Sequence, residues 1–139
     1  MAPQSVLFIC NMNSVRSPMA ACLMASIVRG DMHIDSAGLY PGWRDPFTDT
    51  VLSELDMSLG TSQAKTLAAI DLEDFDLVVA LTPEVVGEVR RLIPKERLEF
   101  WPIDNPSTVA GGEAAVLTAY RSVRDEIAGK IRERFLQTA

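Results

Sequence analysis

Two apolar runs dominate the chain, Val6-Leu7-Phe8-Ile9 and Leu77-Val78-Val79-Ala80-Leu81, the second introduced by Phe75-Asp76. Neither alternates with polar residues, the pattern of strands buried on both faces of a parallel sheet. Met32 to Ala37 alternates and predicts a shorter strand, and Leu98 to Trp101 predicts a fourth. The intervening segments keep helical spacing. Met19, Cys22, Leu23 and Ile27 share one face of a helix predicted from Pro18 to near Gly30. Val51, Leu52 and Leu55 do so within Thr48 to Met57. Val116, Tyr120, Val123, Ile127 and Ile131 form one stripe of a last helix from about Glu113 to Leu136. Ser17-Pro18 and Thr82-Pro83 each read as an N-cap followed by a first helical residue. The second of these helices runs to about Ile93, where Pro94 ends it, and Leu67 to Leu72 is expected to hold a short helix. Gly38 to Pro46 and Pro102 to Gly112 read as loops, and Ser58 to Lys65 as irregular chain.

Strands that alternate with helices imply an α/β fold: a parallel sheet with right-handed crossovers and helices on both faces. Ligands in such folds sit at the carboxyl ends of the strands, where the loop after Ile9 emerges. Length and composition add little to this. The 139 residues are read as a single domain, 1–139, with 47% hydrophobic and 23% charged residues. A formal charge of −6 argues against general binding to nucleic acid or anionic membrane. No apolar run is long enough to span a bilayer. Cys10 and Cys22 are too few for a disulfide framework, and the first 20 residues lack an export signal, so a reducing, cytoplasmic location is expected. His33 alone cannot build a histidine-rich metal site and reads as a structural strand residue; no metal or cofactor is expected. Cys22 is expected to face the core as a small hydrophobe.

The candidate chemistry lies in Cys10-Asn11-Met12-Asn13-Ser14-Val15-Arg16-Ser17, between the first strand and the first helix. Backbone N–H groups at a helix start have no partner within the helix and attract anions. The attacking form of cysteine is the thiolate, which helix N-termini and nearby arginines favour; Cys10 has both influences. Arg16 offers a planar fork for two oxygens of a phosphoryl group. The five residues between them let the loop curl until its N–H groups converge on one anion. Asn13 can take the left-handed conformation such a curl demands. Ser17 can donate to the Cys10 sulfur and cap the helix. Cys-x5-Arg alone is a weak signal, but a buried strand before it and Ser-Pro with a helix after it make it strong.

In these residues the chain resembles the low-molecular-weight protein tyrosine phosphatase family, which includes thioredoxin-coupled arsenate reductases. Val6 to Met19 is similar to the family signature, and Ser36-Ala37-Gly38, Phe75-Asp76-Leu77-Val78 and Val123-Arg124-Asp125-Glu126-Ile127 follow collinearly. The resemblance implies a flavodoxin-like three-layer sandwich with a four-stranded parallel sheet in the order 2-1-3-4. It implies metal-free hydrolysis of a phosphate monoester, on a phosphorylated protein or small aryl phosphate, through a phosphocysteine on Cys10. Arg16 and the loop from Asn11 to Val15, with Ser17, hold the phosphoryl oxygens. An aspartic acid after the fourth strand protonates the leaving oxygen and then activates water.

The chain departs from the family pattern in four places. Asn105 stands directly before Pro106, where the family has its acid, and Asp104 one residue earlier is the candidate replacement. Met12 replaces a loop glycine, and Val15 stands where many members carry a second, protective cysteine. Ser107, Thr108 and Val109 replace the tyrosines that many eukaryotic members use to wall an aromatic ring; Tyr40 and Trp43 can supply that wall, or simply pack their loop. Two other readings stay open. One is arsenate reduction with an external thiol, since the relay cysteines of thioredoxin-coupled members are missing from Thr82 to Arg91. The other is a non-catalytic module that binds phosphate or a phosphopeptide.

Overall fold

The structure, a computed structural model, describes residues 3–28 and 30–136. Four strands, β1 (Ser5–Cys10), β2 (His33–Gly38), β3 (Leu77–Ala80) and β4 (Leu98–Phe100), form one parallel sheet in the order β2-β1-β3-β4. The helices are α1 (Arg16–Ile27), α2 (Pro46–Ser53), α3 (Pro83–Val89) and α4 (Glu113–Ile131). This is the α/β architecture expected from the sequence pattern, in the strand order that the resemblance implies.

The strand period explains why the two apolar runs do not alternate. Val6, Phe8 and Cys10 of β1 pack with Leu77, Val79, α1 and α4 on one face, and Leu7 and Ile9 pack with Val78, Ala80 and α3 on the other. Successive residues of a strand point to opposite faces, and here both faces are covered. Tyr120, Val123, Ile127 and Ile131 of α4 carry the stripe that closes the first face, while Val85 and Val89 of α3 close the second.

The predicted boundaries shift where side chains have other partners. Ser17 is not the N-cap of α1: the helix begins at Arg16, its cap position is Val15 with no side-chain bond, and Ser17 is buried in the first turn. Gly30 lies beyond the end of α1 at Ile27. Helix α2 starts earlier than its apolar spacing suggested, because Asp45 caps it by accepting from the Phe47 N–H and Pro46 supplies its first residue. It also stops earlier, at Ser53, and leaves Leu55 exposed. Where the sequence predicts one short helix over Leu67 to Leu72, the chain forms two separate 3₁₀ turns, Leu67–Ala69 and Leu72–Asp74. Helix α3 ends at Val89, short of Ile93, which is nevertheless buried. Cys22 reaches only the margin of the core, half-buried, with its thiol 3.7 Å from the Ser58 carbonyl. His33 is a strand residue, stacked on Phe75 at 5.0 Å.

Charged groups tie α4 to α2. The buried Arg124 donates to the Val51 carbonyl at 2.9 Å and to Glu54 at 2.8 Å, and Arg121 also grips Glu54. Hydrogen bonding from Arg121 holds the Glu54 carboxyl below its ordinary value of 4.5, with Arg124 adding to it. The folded state thus favours ionised Glu54: this stabilisation is full above pH 4.5 and is lost as pH falls through the lower folded-state value. Glu54→Gln is therefore expected to lower the melting temperature most at neutral pH. The gap to wild type is expected to narrow toward about pH 3, which paired thermal melts at the two pH values measure.

Candidate active site

The residues between β1 and α1 fold into a loop whose carbonyl groups are bonded outward. The Cys10 carbonyl accepts from Leu39 N–H at 3.1 Å, that of Asn11 from Tyr40 N–H at 2.9 Å, and that of Ser14 from the Thr48 hydroxyl at 3.0 Å. The Met12 carbonyl accepts a longer bond from Ser14 Oγ. Among the described residues, no N–H from Asn11 to Val15 donates to a protein acceptor. A run of unpaired N–H groups ahead of a helix is an anion cradle.

Side chains fix the curl from behind. Asn13 takes φ 53°, the left-handed conformation anticipated for it. Its amide donates to Ser17 Oγ at 2.8 Å and to Ser36 Oγ at 3.0 Å, and its carbonyl oxygen accepts from Lys65 N–H. Ser17 Oγ lies 3.0 Å from Cys10 Sγ and donates to the Ala37 carbonyl at 3.2 Å. A hydroxyl has one proton, so either the Ala37 carbonyl or a Cys10 thiolate receives it. The Thr82 hydroxyl donates to Asn11 Oδ1 at 2.7 Å, and Asn11 Nδ2 donates to Glu84 at 3.2 Å, which ties the loop to the start of α3.

A cavity of about 220 Å³ opens over this loop. Cys10, Met12, Ser14, Val15, Arg16, Trp43, Asp45, Asn105 and Ser107 line it. Arg16 is held there by donating to the Ile103 carbonyl at 3.0 Å. The structure thus brings Cys10, Arg16 and much of the loop together with Trp43. Asn11, Asn13 and Ser17 serve behind the loop and not in its lining. Tyr40 is exposed outside the cavity. The loop after β4 presents Asn105 to the cavity, while Asp104 is exposed outside the lining. Asn105 turns its side chain inward on its own segment, accepting from the N–H and hydroxyl of Ser107. No cluster of acidic, cysteine and histidine side chains suited to a metal occurs among the described residues.

Sequence reasoning missed Asp45, Asn105 and Ser107 as lining residues, and Gly38 and Gly42 as spacers. An Asp-Pro pair before an apolar helical run was a legible cap signal at Asp45, of the same kind as Thr82-Pro83. The glycine requirement is tertiary. A Cβ at Gly38 would lie 2.8 Å from the Asn13 nitrogen, and one at Gly42 would collide with the Met12 carbonyl.

Residues 5–138 match the family model described as low molecular weight phosphotyrosine protein phosphatase. The chain is 31% identical to arsenate reductase 1 of Staphylococcus haemolyticus over 133 residues, 96% of each protein. The fold superposes on the tyrosine phosphatase amsI of Erwinia amylovora with a TM-score of 0.80 and 22% identity, covering 95% of this chain and 91% of that one. It superposes on an arsenate reductase of Archaeoglobus fulgidus with a TM-score of 0.73 and 28% identity, covering 92% and 96%.

Because its backbone meets the loop directly, Gly42→Ala is expected to displace Met12 and lower kcat/KM for a substrate held in the loop about 100-fold, the cost of misplacing a reacting group by roughly an ångström. Steady-state kinetics beside a thermal melt check this. An unchanged kcat/KM would show that the loop does not depend on this approach.

Proposed function

Because the chain belongs to the low molecular weight phosphotyrosine protein phosphatase family, we propose that it hydrolyses phosphate monoesters through a phosphocysteine on Cys10. The carrying observation is the set of unpaired N–H groups from Asn11 to Val15 above a buried sulfur, beside an anchored arginine. The thiolate attacks phosphorus as the ester bond breaks. Arg16 and the N–H groups take up the charge that spreads over the equatorial oxygens. Ser17 supports the thiolate that departs when water hydrolyses the intermediate. Trp43, 64% exposed at the cavity mouth, offers an apolar face to an aryl group or a phosphorylated protein side chain.

Arsenate reduction is the second reading, favoured by the names of the curated relatives. The cradle does not separate it from hydrolysis, since arsenate and phosphate share shape and charge. The thiols do. Reduction requires electrons from a second thiol, and Cys22 lies among the residues of a different cavity on the far side of the loop, with Asn13, Asp35 and Lys65. Burial, with the nearby Asp49 charge, pushes its thiol up from its ordinary value and disfavours the reactive thiolate. This supports hydrolysis by water over a relay within the chain.

Wild type is expected to turn over p-nitrophenyl phosphate and Cys10→Ser to fall to background. Acid quenching during turnover of labelled substrate is expected to trap phosphate on wild type alone. Arsenate-dependent consumption of a thiol reductant, without aryl phosphate hydrolysis, would establish the reductase instead.

A further inference from the structure

The cavity holds a carboxylate that the sequence reading did not assign. Among the described residues its titratable lining groups are Cys10, Arg16 and Asp45, of which Asp45 alone is an acid. We propose that Asp45 is the group that gives and takes the proton in this site, with Tyr120 as its positioning residue; this rests on the phosphatase reading of Cys10.

Two donors hold the Asp45 carboxylate from different elements. The Phe47 N–H donates to Oδ1 at 2.9 Å within α2, and the Tyr120 hydroxyl donates to Oδ2 at 2.6 Å from α4. Helix capping alone accounts for the first bond and not for the second. Tyr120 is 1% exposed, and its ring meets that of Phe47 at 5.5 Å, so its hydroxyl has a fixed direction. Burial, then the hydrogen bond to Asp45, push the Tyr120 phenol far up from its ordinary value of 10.0. Tyr120 therefore stays protonated and remains a donor at any working pH. Each carboxylate oxygen accepts more than one bond, so both donors leave room for a proton directed into the cavity.

The other groups around Asp45 do not compete for this task. Arg16 carries no removable proton at working pH, and Cys10 is the nucleophile. On the α2 side, Asp49 pairs with Arg44, and Glu54 is gripped by Arg121 and Arg124. From the loop after β4, Asn105 and Ser107 reach the cavity and do not titrate in this range. Asp104 on that loop is exposed outside the lining.

In the first step the Cys10 thiolate forms the S–P bond, the P–O ester bond breaks, and the leaving oxygen takes the proton of Asp45. In the second, Asp45 receives a proton from the attacking water as its oxygen bonds to phosphorus. The S–P bond then breaks and its electron pair returns to sulfur, giving phosphate and the starting enzyme.

Asp45→Asn removes the transferable proton while the amide oxygen still caps α2; the amide nitrogen takes the place of the oxygen that accepts from Tyr120, and the Tyr120 hydroxyl can accept from it. The experiment follows kcat/KM against pH for p-nitrophenyl phosphate and phenyl phosphate, with melting temperature as the check on folding. Asp45→Asn is expected to lose roughly 100-fold or more on phenyl phosphate, the poorer leaving group, and less on p-nitrophenyl phosphate, with the alkaline limb abolished. Tyr120→Phe is expected to keep that limb and move it to higher pH, since the carboxylate has lost a stabilising donor; a purely structural role would lower the rate without moving it. An unchanged leaving-group dependence and limb in Asp45→Asn overturns the proposal, as does loss of the limb in Asp104→Asn alone. Cys10-dependent turnover with Asp45→Asn unaffected overturns only this inference. Absence of Cys10-dependent turnover in wild type overturns the phosphatase reading and this inference with it.

Discussion

The molecule is arranged around the direction of five backbone N–H groups, those of Asn11 to Val15. A peptide unit presents its carbonyl and its N–H on opposite sides, so turning one outward turns the other inward. Donors from outside the loop, Leu39 N–H, Tyr40 N–H and the Thr48 hydroxyl, claim the carbonyls of Cys10, Asn11 and Ser14. The reversal of chain direction falls on Asn13, whose side chain bonds to three separate segments. Gly38 and Gly42 then admit backbone where a Cβ would collide. Each of these contacts helps to hold the loop in its curl, with these N–H groups left without a protein acceptor.

The sheet supplies the remaining constraint. Cys10 is the last residue of β1, paired in register with Gly38 of β2. Side chains alternate faces along a strand, so burying Val6 and Phe8 beneath α1 and α4 commits Cys10 to that same side. Ser17, in the first turn of α1, meets it there. A slip of one residue would turn every side chain of β1 to the other face, so the packing of the core fixes where the sulfur points.

What could be read in the sequence follows the range of the forces involved. The continuous apolar runs of β1 and β3 and the stripe of α4 are local patterns with strong periodicity, and they gave the strands, the crossovers and the loop between them. Ser17 was half legible: its contact with Cys10 follows from the spacing, but its hydroxyl serves sulfur and the Ala37 carbonyl and leaves the helix uncapped. Here a tertiary partner outcompetes a local preference. Asp45 shows the converse. Its capping role was available from Asp-Pro, yet its place in the cavity depends on Tyr120, 75 residues further along the chain. The choice between Asn105 and Asp104 as the lining residue is set by the turn that Asn105 caps, which composition does not reveal.

The relation between Asp45 and the cradle gives the proposed proton transfer its order. The Asp45 carboxylate accepts from the Tyr120 hydroxyl on one oxygen and from the Phe47 N–H on the other. In the proposed cycle the phosphoryl group is held in the cavity that this carboxylate lines. Departure of the leaving group then takes the proton of Asp45 away. The carboxylate that results stands beside a phosphocysteine, ready to receive a proton from water. On this proposal one group performs both halves of the cycle without a change of partner, because its two donors, on separate oxygens, orient it while leaving lone pairs free toward the cavity.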